Sequence, residues 1–385
     1  NETLSAKIKE ENQEVTAFAN LFGLGGAPLC AMARGKGNRE GAQGIMVNAG
    51  FMLLLSGAVL TVLGIAFHRP LLYLFGASEV TYPYASSYIV IYLIGTLCVM
   101  LSLGLNPYIN CQGFARTGML TVALGAAANI VLDPIFIFAL HLGVRGAAIA
   151  TVLSQFLSAA WVVKFLTSKK AELKLDFRGF RPDCQCIQRI TVLGIASFVM
   201  SFTDTLVQVA CNATLRNFGG DLYISVMTVL NSVRQIAQTP VLAIADGAST
   251  AISYNYGAGL YKRTRDAIRF MTQIAIGYTM LVWMLVSLFP ALFIRIFNQD
   301  AELVAAAVPA LHIYFFGFVM MAFQYAGQST FRALGRAKYA VFFSLLRKAF
   351  IVVPLTLLLP YCWNLGVSGV FAAEPVSNCI GGLAC

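Results

Sequence analysis

The chain has 385 residues, of which 58% are apolar and 11% charged, with a formal net charge of +10. Ordinary soluble domains carry about 25% charged residues, so a disordered segment, a coiled coil and a nucleic-acid-binding domain are excluded. A polytopic membrane protein is the class that remains.

In chain order, the uncharged or nearly uncharged runs of spanning length are 15–33, 44–67, 86–110, 118–140, 144–163, 190–215, 222–253, 270–294, 303–331, 339–361 and 365–385. A helix needs about 20 apolar residues to cross a bilayer. Period-2 alternation is absent, so each run is expected to be a helix that satisfies its own backbone in lipid. The nine cysteines show no paired, exposed spacing and are read as reduced thiols. The chain starts at Asn1 without a basic segment followed by an apolar stretch, so no signal peptide is expected.

The loops carry an orientation signal. Eighteen Lys and Arg residues fall on one alternate set of loops, including Arg34, Arg116, Lys169, Lys174, Arg263 and Arg336, against four (Arg69, Arg145, Arg216, Arg295) on the other. The positive-inside bias places the first set in the cytoplasm.

A long-range repeat follows. Leu74-Phe75-Gly76-Ala77-Ser78-Glu79 returns at Ile296–Glu302, Tyr92–Gly95 at Tyr314–Gly317 and Gly113–Arg116 at Gly335–Lys338, each displaced by 222 positions, and Gly143–Gly146 at Gly366–Gly369, displaced by 223. A displacement of six spans preserves orientation, so two parallel-related six-helix lobes are expected, with the transport path between them. The expected organisation is an N-terminal lobe at 1–166, a cytoplasmic linker at 167–189 and a C-terminal lobe at 190–385. Span 190–215 has no partner 222 positions earlier, and Lys7, Lys9, Glu10, Glu11 and Glu14 stand where the repeat reads Leu222–Met227. Twelve helices are therefore expected in an intact copy, with the first missing here.

Several ordered motifs resemble one family. They are Leu74–Ser78, Asn129-Ile130-Val131-Leu132-Asp133-Pro134-Ile135-Phe136, Gly143-Val144-Arg145-Gly146-Ala147-Ala148, Ile252-Ser253-Tyr254-Asn255-Tyr256-Gly257-Ala258-Gly259 and Ala333-Leu334-Gly335. From about residue 15 to the end, the chain is similar to multidrug and toxic-compound extrusion (MATE) transporters, in particular the bacterial MepA-like branch. The resemblance implies export of organic, often cationic compounds, driven by inward Na⁺ or H⁺ through two six-helix lobes.

Four acids, Asp133, Asp204, Asp246 and Glu374, interrupt apolar runs. An ionised acid at bilayer depth costs about 2.5–3.5 kcal/mol on insertion scales, so each needs a partner, a proton or water. Asn129 lies one turn before Asp133 on the same helical face, and Pro134 cannot donate, which leaves the Ile130 carbonyl free. That oxygen-rich set suits Na⁺ or a shared proton, or else a plain interhelical bond. By resemblance, Asn129, Asp133 and Thr151 belong to the ion-coupling site, although the acid that the family carries on its first span is missing.

Further along, Ser197, Ser201, Asp204, Gln208 and Asn212 form one polar stripe, read either as interhelical glue or as cavity lining. Arg234 counts to a similar depth, at about 1.5 Å per residue, and is expected to pair with Asp204. Gln324 and Gln328 form an i, i+4 polar face among Phe315, Phe316, Phe318, Met320, Met321, Phe323 and Tyr325. Asp246 has no assigned role, and Glu374 is expected to find Arg347 or Lys348.

A membrane-embedded enzyme is disfavoured because His68, His141 and His312 lack ligand spacing. Flippases of lipid-linked solutes share the architecture, but the intramembrane charges are read as mostly acidic, which favours a cationic, amphipathic cargo. A non-functional fragment is the third reading. The expectation is therefore an antiporter of the cell membrane, of bacterial inner-membrane type. Its expected partners are a small organic substrate and the lipid bilayer, with Na⁺ or H⁺ as coupling ion, no cofactor, no nucleic acid and no obligate protein partner.

Overall fold

The computed structural model describes residues 2–74, 82–362 and 365–384, with side chains outside the description at 2–14, 71, 73, 74, 83–85, 201, 202, 205, 221, 383 and 384. Among these residues every regular element is helical: α1 (Glu2–Gly35), α2 (Arg39–Leu74), α3 (Tyr82–Ile94), α4 (Thr96–Cys111), α5 (Ala115–Pro134), α6 (Gly143–Thr167), α7 (Cys184–Gly257), α8 (Tyr261–Leu288), α9 (Pro290–Arg295), α10 (Ala301–Phe315), α11 (Phe318–Ala333), α12 (Ala337–Leu345), α13 (Val353–Leu358) and α14 (Val367–Ala384). Two π-helical turns, Ile135–Ala139 and Leu346–Val352, follow α5 and α12. The chain is an all-α polytopic membrane protein.

Each of the eleven segments read from the sequence falls on helix over most of its length. Six described helices are long and apolar enough to cross a membrane, and two bent pairs bring the number up to eight. The pairs are Ser86–Ile94 with Thr96–Cys111, bent by 51°, and α10 with α11, bent by 47°. The long α7 is broken at Gly220, where φ is 67° and ψ is −164°. Backbone of that kind is open essentially to glycine alone, so the two spans expected on either side of it are separated by one residue. The motif residues Phe75–Ser78 and the side chains of Lys7, Lys9, Glu10, Glu11, Glu14 and Ser201 lie outside the described set.

The repeat is visible in the backbone. Helix starts at Arg39, Thr96 and Ala115 recur at Tyr261, Phe318 and Ala337, a displacement of 222 each time. The left-handed glycines follow it closely: Gly37 and Gly113 (φ 76° and 89°) recur 222 positions later as Gly259 and Gly335 (φ 72° each), and Gly143 (φ 54°) recurs 223 positions later as Gly366 (φ 52°).

The chain divides into two compact units, Asn1–Phe198 and Val199–Cys385. In the first, α1, α2, α4 and α6 close around buried Phe22, Met46, Leu53, Met100 and Tyr108. The segment after α6 docks on this core. Leu173 is fully buried in it, its N–H donates to Gln112 Oε1 at 2.9 Å, and the Asp183 N–H donates to Asn48 Oδ1 at 3.0 Å. Arg34 pairs with Glu172, and Arg39 Nε donates to the Glu172 carbonyl at 3.1 Å. In the second unit, the core is built from Leu230, Val233, Leu311, Phe315, Phe318 and Phe371.

Two features suit these helices to lipid. Many hydroxyls fold back onto the preceding turn, as in Ser56 to Met52 O at 2.6 Å, Thr214 to Ala210 O at 2.8 Å and Thr279 to Ala275 O at 2.9 Å, so these three donors are satisfied within their own helices. Helix backbones also approach closely through small residues. A Cβ on Gly194 would stand 1.8 Å from the Leu21 carbonyl oxygen, and one on Gly317 would stand 2.6 Å from that of Pro375. Exposed Val62, Phe67, Val122, Ile130 and Phe138 form apolar outer faces on the first unit.

Candidate functional site

In the first unit, α5 carries Asn129 and Asp133 one turn apart, and Asn129 Nδ2 donates to Asp133 Oδ1 at 3.3 Å. Both side chains are half-buried. No basic group among the described residues pairs with Asp133, so its carboxylate keeps acceptor positions for a cation or a proton. Pro134 ends the α-helix, and the chain continues as the π-helical turn Ile135–Ala139. Thr151, on α6, donates instead to Ala147 O at 2.9 Å on its own helix and forms no bond to Asn129 or Asp133.

The second unit holds a denser set of charges. Glu374 Oε1 on α14 accepts from Arg234 Nη1 and from Arg347 Nη1, each at 3.1 Å. Arg347 Nη1 also donates to Asn378 Oδ1 at 2.6 Å, and its backbone carbonyl accepts from Ser377 Oγ at 3.2 Å. The next residue, Lys348, pairs with Asp204. Arg234 lies over the Tyr314 ring at 5.9 Å, and the Tyr314 hydroxyl donates to Asn231 Oδ1 at 3.0 Å. The side chains of Arg347, Lys348 and Glu374 are 2%, 4% and 8% exposed, whereas that of Asp204 is 48% exposed. The π-helical turn Leu346–Val352 presents Arg347 and Lys348 on consecutive residues.

Two readings made from the sequence are corrected here. Asp204 does not pair with Arg234. Lys348 takes Asp204, and Arg234 goes to Glu374, because α14 brings its carboxylate to the α7 guanidinium. The intramembrane charges of this unit are also not mostly acidic: Arg234, Arg332, Arg347 and Lys348 face Asp204, Asp246 and Glu374. A Lys or Arg inside a run such as 339–361 was the signal available in the sequence. The expected partner of Glu374 is found in Arg347.

The remaining candidates are scattered. Gln208 is exposed, Asn212 is half-buried, and neither forms a side-chain hydrogen bond among the described residues. Gln324 and Gln328 are 2% and 1% exposed on α11, and the Oε1 atom of each is buried without a donor. Asp246, without a role until now, pairs with Arg332 at 3.1 Å. Of the aromatic residues around Gln324, Phe315, Phe318 and Tyr325 are buried, while Phe316 and Phe323 are exposed. Among the described residues no group of three His, Cys, Asp or Glu side chains is arranged to hold a metal.

A family model described as MatE matches residues 13–135 and 196–358. The multidrug export protein MepA of Staphylococcus haemolyticus is 23% identical over 92% of this chain and 77% of its own length. A protein of Shewanella oneidensis named FAD transporter is 24% identical over 96% of this chain and 82% of its own length. A solved outward-facing multidrug resistance MATE family transporter of the MOP superfamily matches with a TM-score of 0.94 and 22% identity, covering 99% of this chain and 85% of its own. With the family model matching both halves in order, the chain belongs to the MatE family of membrane transporters.

Proposed function

We propose that this transporter exports amphipathic organic solutes, cationic ones among them, in exchange for inward Na⁺ or H⁺, from a cell membrane of the bacterial inner-membrane kind. The observation that carries the reading is Asp133: a half-buried carboxylate on a spanning helix, 3.3 Å from the Asn129 amide and paired with no base among the described residues. An unpaired acid at that depth is costly, and a bound cation or proton removes the cost. Occupation then favours whichever conformation binds the ion better, since a ligand shifts an equilibrium only through differential affinity. The names of the MepA relatives support a drug-like cargo.

The test is efflux of ethidium from liposomes under an imposed Na⁺ or H⁺ gradient, comparing the chain with Asp133→Asn. Gradient-driven efflux that the variant loses supports the reading. Efflux that Asp133→Asn leaves untouched removes Asp133 from the coupling step.

A second reading is favoured by the excess of bases over acids in the second unit and by the relative named FAD transporter. In this reading the exported solute itself bears an anionic group.

A further inference from the structure

We propose that the second unit contains an exchangeable seat for an anionic group of phosphate or carboxylate type, centred on Lys348 and flanked by Arg234 and Arg347, which Asp204 occupies in this conformation. The inference rests on the second reading above and names the residues that would carry it.

The charges do not cancel internally. Three cationic side chains face two carboxylates, and one of those carboxylates, Glu374, is shared by both guanidinium groups through a single oxygen. Donors are left over. Arg234 Nε and Arg347 Nε are both buried without an acceptor among the described residues, and the Arg347 side chain is only 2% exposed. A buried guanidinium N–H lacking an acceptor keeps the full desolvation penalty of a charged donor. A displacing group with more charge and more acceptor oxygens than the Asp204 carboxylate, as a phosphate has, reduces both deficits.

The two members of the Lys348–Asp204 pair differ in how they stand separation. The Lys348 side chain is 4% exposed and that of Asp204 48% exposed. An ionised carboxylate is tolerated at such exposure only where water reaches it, since lipid contact is costly. Asp204 can therefore swing off and be solvated, whereas the buried ammonium cannot be left bare. An incoming anion that takes the place of Asp204 keeps Lys348 paired and comes within reach of the neighbouring arginines, whose planar forks suit phosphate and carboxylate oxygens.

The probe is riboflavin 5′-phosphate, with riboflavin as its uncharged twin, in equilibrium dialysis against the full chain in lipid nanodiscs without any ion gradient. The expected result is at least tenfold tighter binding of the phosphate form. Arg234→Gln and Lys348→Gln each weaken the phosphate form at least tenfold and leave riboflavin unchanged. Asp204→Asn, which removes the internal occupant, tightens the phosphate form at least threefold. If Lys348→Gln does not fold, the opposite signs of Arg234→Gln and Asp204→Asn still decide the matter, since a purely structural role gives losses in both. Equal binding of the two flavins, or weaker phosphate binding by Asp204→Asn, overturns the proposal. Inorganic phosphate that displaces the flavin at equal concentration assigns the seat to free anions, and failure to displace assigns it to an anionic group on an organic solute; both keep the seat. Because no gradient is imposed, a failure of ethidium efflux leaves this test intact.

Discussion

The backbone N–H of Leu173 donates to the side-chain oxygen of Gln112 at 2.9 Å, in the interior of the first unit. Gln112 Nε2 in turn donates to the Tyr108 carbonyl at 3.2 Å, so one amide joins the end of α4 to the segment that follows α6. Gln112→Leu leaves that N–H buried and unpaired, at a cost of about 1–3 kcal/mol. The expected readout is faster trypsin cleavage after Lys170, Lys174 or Arg178, with Gln112→Glu, which keeps the acceptor, closer to the parent. Unchanged cleavage in Gln112→Leu would show that buried Leu173 holds the segment by itself.

Glu374 is the shared acceptor of two arginines, and its removal strands both. Breaking a buried ion pair from one side typically costs about 3–5 kcal/mol, whereas replacing both partners with apolar groups of similar volume is far milder. Glu374→Ala, which takes the carboxylate from both arginines, is therefore expected to lower the thermal midpoint in detergent more than Arg347→Met with Glu374→Met, which leaves only Arg234 without it. Equal losses in the two proteins would mean that packing, not charge, dominates at this position.

Gly220 and Gly247 make a matched pair, because neither has an atom within 4 Å of where a Cβ would lie, and they differ in backbone: Gly220 has φ 67°, while Gly247 is helical. Gly220→Ala is expected to cost about 1–3 kcal/mol through strain alone. Gly247→Ala is expected to gain about 0.4–1 kcal/mol. Unfolding midpoints of opposite sign check the pair; a shared sign refutes the role of φ.

Asn129 supports Asp133 with a hydrogen bond to a charged group, a class worth about 1.5–3 kcal/mol. With Na⁺ as the coupling ion, Asn129→Ala should therefore raise the Na⁺ concentration needed for half-maximal efflux by about tenfold or more, since about 1.4 kcal/mol is a factor of ten and the amide holds the ionised carboxylate in place for the cation. Efflux should persist at saturating ion, unlike in Asp133→Asn. A normal ion dependence in Asn129→Ala would exclude the amide from ion binding.

The helices were legible because their boundaries obey simple chemistry. Gly95 and Gly317, which separate the two bent pairs, stand 222 positions apart, and a displacement that moves every motif together is hard to produce by chance. Asn129 and Asp133 were legible for a local reason: i and i+4 share a helical face. The pairing of Asp204 was not. Counting residues gives height along a helix and says nothing of the direction in which a side chain points or which helix stands beside it. Arg234 and Glu374 meet across 140 positions of chain, through the packing of α14. Thr151 shows the same limit, since its hydroxyl satisfied itself on Ala147 before any neighbour was needed.

The folded-back hydroxyls and the backbone-to-backbone approaches together determine how this protein tolerates change. Ser56, Thr214 and Thr279 bond to their own helices, so their replacement by alanine removes little that joins one helix to another. Gly194 against Leu21 and Gly317 against Pro375 leave no room for a single added carbon. In a soluble domain the polar positions are where a sequence drifts most sparingly in the core and glycines in helices are expendable. Here the ranking reverses: a library of alanine substitutions should find its intolerant sites among the residues with the least side chain, and the mutational map of the helices should trace their lines of contact.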